Sequence, residues 1–177
     1  MIGLKYVIKT REYCDYLEEH LTNVKWAWDV LQDKCKDMDF IWDDYKWSCI
    51  DYWVKEHDLS KFSKEEFTQY RNNFFPVENE SVNKNSFNDA WEHHKKENDH
   101  HWENWTKLLP DEIGEEDKIS SVEYHAPLFC VHMIIDWMAM GKKFGDTAQI
   151  YYEANKDKIK LPDWAVRFIY EIFERVY

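Results

Sequence analysis

The chain has 177 residues and a formal net charge of −12, and 18% of its residues are aromatic. This acidic balance argues against a general nucleic-acid binder or a protein of anionic membrane surfaces, because affinity for phosphate backbones comes from Lys and Arg. Only 4 Gly and 4 Pro leave little material for the turns of an all-β sandwich. We therefore expect one compact all-α bundle of six to seven helices, a single domain over residues 1–177.

Apolar residues at spacings of three and four predict the helices in chain order. The predicted elements are Thr10 to Lys36, Asp39 to Glu56, Ser63 to Asn73, Ser86 or Asn88 to Trp105, Ser121 to Gly141, a helix capped at Thr147, and Trp164 to Val176. Ser63 to Glu66 has the pattern of a capping box. Residues 109–120, which include Gly114, are expected to form an acidic connection.

The cysteines and the lack of targeting signals bear on the cellular compartment. There is no CxxC pair and no zinc-finger spacing among Cys14, Cys35, Cys49 and Cys130. We interpret them as small buried hydrophobic side chains, with a disulfide framework as the alternative. No signal peptide is visible, and no run approaches the ~20 apolar residues of a membrane span. A cytoplasmic protein is the expectation.

Histidine is concentrated in one polar tract, from Trp91 to Trp102. On a continuous helix, positions seven apart share a face, so His94 aligns with His101 and His93 aligns with His100. Two pairs at this spacing between aromatic residues favour a metal site over a solvated surface, because a divalent ion uses neutral imidazole directly.

The neighbours of these pairs predict which pair faces the protein interior. His94 and His101 are expected to point inward, because they share a face with Phe87, Asn98 and Trp105. The remaining members of the tract are expected at the edge of that face: His93, His100 and Glu97. An inward imidazole without a partner would cost about 1–3 kcal/mol, which a bound metal would offset.

Three further polar positions stand out from their surroundings. Adjacent His57 and Asp58 offer a nitrogen and a carboxylate, although a helix end followed by a turn explains the same pair. Asp136 lies within an apolar helix, where a carboxylate needs a metal or a partner such as His132. His20 borders the core face of the first helix, and by itself it is more simply a core histidine.

In their order along the chain, these residues resemble the H…HD…D pattern of the HD-domain superfamily, all-helical metal-dependent phosphohydrolases: His20, His57, Asp58, His94, His101 and Asp136. The segment from His57 to Lys61 is similar to the HD-x-x-K segment of that superfamily, with Ser60 where Gly is usual. The first-helix histidine is likewise followed by Val24.

The resemblance implies an activity and a role for each residue. One ion, Mn, Fe, Co or Zn, would be held by His20, His57, Asp58 and Asp136, and a second by Asp58, His94 and His101. A metal-activated water would hydrolyse a phosphate ester, most plausibly a nucleotide. Asp58 and Lys61 are the catalytic candidates. Lys61, Asn98 and His100 are the candidates for substrate binding.

The chain also resembles a family of small phage and Gram-positive bacterial proteins, which brings no activity with it. The shared motifs are HDLSKF from His57, AW-x-HH-x-x-x-N-x-HHWE from Ala90 and DW-x-AM from Asp136. Two other functions remain open for the same residues. One is a di-iron oxygenase resembling myo-inositol oxygenase, and the other is a non-catalytic protein that binds a nucleotide or a host protein. The sequence predicts no oligomeric state.

Overall fold

The computed structural model describes residues 1–38, 44–108 and 121–177. Over these residues the chain is all-helical, with eight α-helices and two short 3-10 helices and no strand. The α-helices are α1 (Ile2–Lys34), α2 (Asp44–Lys55), α3 (Phe67–Phe74), α4 (Lys84–Glu97), α5 (Trp102–Trp105), α6 (Ser121–Phe144), α7 (Ala148–Asn155) and α8 (Asp163–Val176). The prediction of an all-α fold is confirmed.

Helix α6 lies at the centre and packs against α1, α2, α5, α7 and α8. Its apolar face is fully buried, as Leu128, Ile134 and Ile135 show. The longest packing interface is the one with α1. These two long helices form a rigid frame, because close-packed apolar side chains leave little freedom to move.

A second, smaller cluster of apolar side chains joins α1 to α3 and α4. Tyr13 and Leu17 on α1 pack there against Tyr70 on α3 and Ala90 on α4. The short helices α3 and α4 therefore lie against one end of the α1–α6 frame, on the side where polar side chains accumulate.

The prediction that one long helix continues to Trp105 is wrong, because α4 ends at Glu97 and a separate helix begins at Trp102. The backbone of Asn98 is extended, with φ −126° and ψ 106°. Its side-chain Nδ2 donates to the carbonyl oxygen of His94 at 2.7 Å and so satisfies a free carbonyl of the last helical turn. This break raises the helix count above the expected six to seven.

Several predicted helix boundaries also shift. α1 begins at Ile2 instead of Thr10, and α3 begins at Phe67, four residues after Ser63. The N-cap of α4 is Asn83, whose Oδ1 accepts from the backbone of Asn85 and Ser86. The cap of α7 at Thr147 is confirmed, since its Oγ1 accepts from the backbone N–H of Ile150.

The expectation that all four cysteines are buried holds for only two of them. All four cysteines are free, but only Cys35 and Cys130 are buried, while Cys14 is exposed. The predicted start of α2 at 39–43 and the connection at 109–120 lie outside the described residues. Within the part of the chain that is described, no helix combines the length and the apolar character needed to cross a membrane.

Candidate metal centre

Three segments that are distant in sequence bring His20, His57 and Asp136 together, and we call these residues the first group. Nε2 of His20 lies 3.1 Å from Nε2 of His57. Oδ1 of Asp136 lies 3.4 and 3.5 Å from these two nitrogens. His20 is on α1, His57 follows α2, and Asp136 is on α6. Both imidazoles are buried, so three ligand atoms meet inside the α1–α6 frame.

Asp58 connects the first group to a further set of histidines. Its Oδ2 lies 3.2 Å from Nε2 of His20 and 3.5 Å from Nε2 of His57. Its Oδ1 lies 3.3 Å from Nε2 of His94 and 3.6 Å from Nε2 of His100. The two oxygens of one buried carboxylate thus face two different groups of nitrogen atoms.

The backbone at Asp58 explains how two consecutive residues face the interior. Its φ is 59° and its ψ is 19°, the left-handed region, which few residues other than Gly adopt and which Asp tolerates better than most. The chain leaves α2 in a turn here, and the side chains of His57 and Asp58 are both buried. A helix end followed by a turn is therefore the geometry that delivers both ligand atoms.

His94, His100 and His101 form the second group, and each offers a nitrogen within 4.8 Å of the others. His94 lies in the last turn of α4, whereas His100 and His101 lie in the turn before α5. The ring centroids of His94 and His101 are 4.8 Å apart, and those of His100 and His101 are 4.4 Å apart. The break at the end of α4 folds the tract back, so that three of its histidines converge.

The expected position of one tract member is wrong. The helical spacing predicts His100 at the edge of the face, but it is buried, and its ring stacks on that of His57 with centroids 4.4 Å apart. Asn98 is buried, as its place on the face of His94 predicts. Its Nδ2 donates to Oγ of Ser60 at 2.8 Å and to the carbonyl of His94, so that it caps α4. Substrate binding by Asn98 stays a prediction, and Asn98 is not among the residues that line the cavity described below.

Burial favours the neutral form of three of these histidines, and nearby positive charge favours the ionised form of Asp58. Burial lowers the pKa of His101 to about 4 and that of His132 to about 3, and it lowers the pKa of His100 well below the usual range. Burial alone would raise the pKa of Asp58, but His57 and Lys61 beside it lower it. Neutral imidazole and carboxylate are the protonation states that bind a metal ion.

The arrangement fits a divalent metal in two respects. Asp58 Oδ1 and His101 Nε2 are buried and have no hydrogen-bond partner, which is costly unless something else satisfies them. The ligand atoms of the first group and Asp58 lie 3.1 to 3.5 Å apart. Metal–ligand bonds of about 2.0–2.2 Å separate neighbouring ligands by about that much. These buried groups could therefore hold a metal ion.

Two residues that touch the candidate ligands were not among the predicted site residues: Glu66, and His132, which had been considered only as a partner of Asp136. Nε2 of His132 lies 2.9 Å from Nδ1 of His57. The Glu66 carboxylate is fully buried, and its oxygens lie 2.7 Å from Nδ1 of His93 and 2.9 Å from Nδ1 of His94. Burial alone would raise the pKa of Glu66, but these hydrogen bonds lower it.

A capping box had been predicted for Glu66, and that interpretation is wrong. α3 begins after Glu66, and the carboxylate makes no capping bond. A Ser followed three residues later by a Glu is found whether the Glu caps a helix or is buried in the interior. The sequence therefore did not indicate that the Glu66 side chain is buried. For His132 the signal was present, since it shares a helical stripe with Asp136.

Both groups open into a cavity of about 500 Å³. Much of its wall is aromatic: Phe74, Phe87 and Trp91 from α3 and α4, and Trp137, Phe144 and Tyr151 from α6 and α7. The side chain of Phe144, at the C-terminal end of α6, is 69% exposed at this wall. The cavity is within the ~300–1,000 Å³ range of small-molecule sites.

Lys61 is the one Lys or Arg among the described residues that line the cavity. Its Nζ donates to Oδ2 of Asp58 at 2.5 Å. Burial alone would lower the pKa of Lys61, but the charge and hydrogen bond of Asp58 raise it. The side chain therefore keeps its positive charge beside the candidate metal centre.

Comparison with known families finds one whose sequence model covers nearly the whole chain. Residues 9–175, which include every candidate ligand, match the family of unknown function DUF5662. Among curated proteins and solved structures, none matches the chain. Because the match extends over nearly the whole sequence, the chain belongs to the DUF5662 family.

Proposed function

We propose that the protein is a metal-dependent phosphohydrolase of the HD type that acts on a nucleotide or a related phosphate ester. The observation that carries the proposal is the position of Asp58, whose two carboxylate oxygens face the first and the second group. A carboxylate that bridges two ions ~3.5–4 Å apart is the usual arrangement of two-metal sites that hydrolyse phosphate esters.

The candidate ligands divide between two ions. His20, His57, Asp58 and Asp136 would hold the first, and Asp58, His94 and His101 the second. His100 of the second group also lies beside His57 of the first. Nitrogen and carboxylate donors suit Mn, Fe, Co or Zn. A divalent ion in such a site lowers the pKa of a bound water towards ~7 and offsets the negative charge of a phosphate.

Lys61 and the aromatic wall supply the remaining interactions. The Lys61 ammonium would bind a phosphate oxygen and stabilise the charge that develops there in the transition state. The rings of Phe87, Trp91 and Trp137 would contact the organic part of the substrate, and stacking on aromatic side chains suits a nucleobase. Lys61 already makes an ion pair with Asp58, so the cation lies close to the candidate centre.

The test is phosphate release by the protein loaded with Mn or Co, measured on a panel of nucleotides and other phosphate esters. We expect turnover, and we expect Lys61→Met to lower kcat/KM by ~10²-fold with the metal content retained. The matched control is Lys64→Met, because the Lys64 side chain is 90% exposed and lies in the same segment. The control variant should hydrolyse at the native rate.

Two outcomes would overturn this proposal. One is oxygen consumption by the iron-loaded protein without phosphate release, which favours the oxygenase. The other is tight nucleotide binding without turnover with Mn, Fe, Co or Zn, which favours the binding protein. A native rate in Lys61→Met would overturn only the role given to Lys61.

A further inference from the structure

Glu66 is a charged residue with no exposed surface and with histidines as its partners. Oε1 lies 2.7 Å from Nδ1 of His93, and Oε2 lies 2.9 Å from Nδ1 of His94. No Lys or Arg of residues 1–38, 44–108 and 121–177 forms an ion pair with it. Burial of a carboxylate without a partner costs much free energy. The Glu66 carboxylate is therefore stabilised by hydrogen bonds from the two histidines.

The chemistry of a carboxylate fixes the protonation of the two rings. An ionised carboxylate only accepts hydrogen bonds, so Nδ1 of His93 and Nδ1 of His94 both carry the proton. In a neutral His94, Nε2 is then the unprotonated nitrogen. That atom lies 3.3 Å from Oδ1 of Asp58, in the second group. Glu66 therefore turns the lone pair of His94 towards the candidate metal centre.

His93 differs from His94 although the two are adjacent. It is not among the residues that line the cavity, and its side chain is 32% exposed. Its contact with Oε1 holds the carboxylate from the side away from the centre. The two adjacent histidines therefore have different positions. His94 faces the centre, and His93 supports Glu66.

Neighbouring polar groups keep this contact in place. Oγ of Ser60 lies 3.1 Å from Nδ1 of His94 and accepts from Nδ2 of Asn98 at 2.8 Å. Asn98 in turn caps α4 through the carbonyl of His94. The end of α4 and the segment before α3 are thus joined through Glu66.

We infer that Glu66 is a positioning residue for the second group, which holds His94 in the tautomer and orientation that bind a metal ion through Nε2. Carboxylates that bond to a ligand histidine from behind are typical of metal sites, and their loss lowers metal affinity by ~10–100-fold. The inference rests on the proposed function only in taking the centre to bind metal. It adds a residue that is neither a ligand nor in contact with substrate.

Glu66→Gln tests the inference, because it preserves shape but replaces one acceptor oxygen with an N–H₂ group. In the metal-free protein, histidine side-chain ¹⁵N NMR is expected to show His94 protonated at Nδ1. The variant should lose this preference. In a zinc titration, affinity at the second group should fall ~10–100-fold, while affinity at the first group stays unchanged.

The matched control is Glu65→Gln, which makes the same change at the adjacent glutamate, whose side chain is 41% exposed. It should leave tautomer and affinity unchanged. If Glu66→Gln does not fold, Glu66→Asp keeps the charge but withdraws the carboxylate by one methylene. We expect that variant to weaken the second group alone.

The outcomes separate this inference from the proposed function. A native tautomer of His94 together with native zinc affinity in the Glu66 variant would overturn the inference and leave the hydrolase proposal standing. Failure of the native protein to bind any metal would overturn the proposed function. The NMR measurement would then still decide whether Glu66 sets the state of His94.

Discussion

The first and the second group contain similar side chains but are assembled in different ways. His20, His57 and Asp136 come from three distant segments, which meet because α1, α2 and α6 pack together. His94, His100 and His101 lie within one short tract and meet because the chain breaks after α4. The first group is thus a product of the hydrophobic core, and the second is a product of a local turn.

This difference predicts how each group responds to substitution. The first group is held by apolar surfaces of long helices, so a single polar change leaves the backbone in place. The second group depends on polar contacts around a short segment, such as those of Asn98 with Ser60 and with the carbonyl of His94, so loss of one contact should disturb it more. Asp58 contacts both groups, and the variants below separate these contributions.

Asp58→Asn is expected to have the largest effect. The amide keeps the shape but removes the charge that both groups share, so binding of both ions should be lost. Activity should fall by more than the ~100-fold that loss of an outer partner costs. Metal analysis after dialysis and phosphate release measure the two effects.

The control for this variant is Asp51→Asn on α2. The Asp51 carboxylate accepts hydrogen bonds from Lys55 and Trp28, neither of which is a candidate ligand, and it is 40% exposed. It should retain both ions, and circular dichroism should show native helix content in both variants. Two ions bound with native affinity in Asp58→Asn would refute the idea that the groups share this residue.

Asp136→Asn should produce a smaller and one-sided effect. Its carboxylate contacts His20 and His57, which belong to the first group. We expect the variant to bind one ion instead of two, with the remaining ion at the second group. Zinc stoichiometry by calorimetry is the measurement.

His101→Gln is the mirror-image variant, since it removes a nitrogen from the second group alone. It should also reduce the stoichiometry to one, now with the ion at the first group. Spectra of the cobalt-loaded variants should therefore differ from each other. Identical spectra would mean that the two groups form a single site and bind one ion together.

The sequence pointed to the two groups by different signals. For the second group, the spacing within the tract predicted His94 and His101 as ligands. For the first group, the apolar surroundings favoured a ligand role for Asp136 alone, and His20 and His57 joined it through the resemblance to the HD-domain superfamily. The break after α4 was not predicted, because residue spacing does not reveal a local side-chain cap such as Asn98. The inward position of Glu66 was hidden for the same reason, since its pattern matched a capping box.

Glu80→Gln should have the smallest effect, and it tests how the region around the second group is held. Glu80 accepts from Arg71 on α3 at 2.9 and 3.1 Å and from the backbone N–H of Val77 at 2.8 Å. These contacts join α3 to the segment before α4. At neutral pH the variant should lose ~1–3 kcal/mol of unfolding free energy, the usual cost of a hydrogen bond to a charged group. Ion binding at the first group should be unchanged.

The pH dependence of this loss gives a further check. The hydrogen bonds from Arg71 lower the pKa of Glu80 below its ordinary value of 4.5. Between these two pKa values the unfolded chain binds more protons than the folded one, so the contribution of Glu80 to stability declines as the pH falls. It is fully present above 4.5 and is lost below the folded pKa. Urea unfolding of the metal-free proteins should therefore show a gap between native and variant at pH 7 that narrows below pH 4.5, and a constant gap would assign the effect to packing instead of charge.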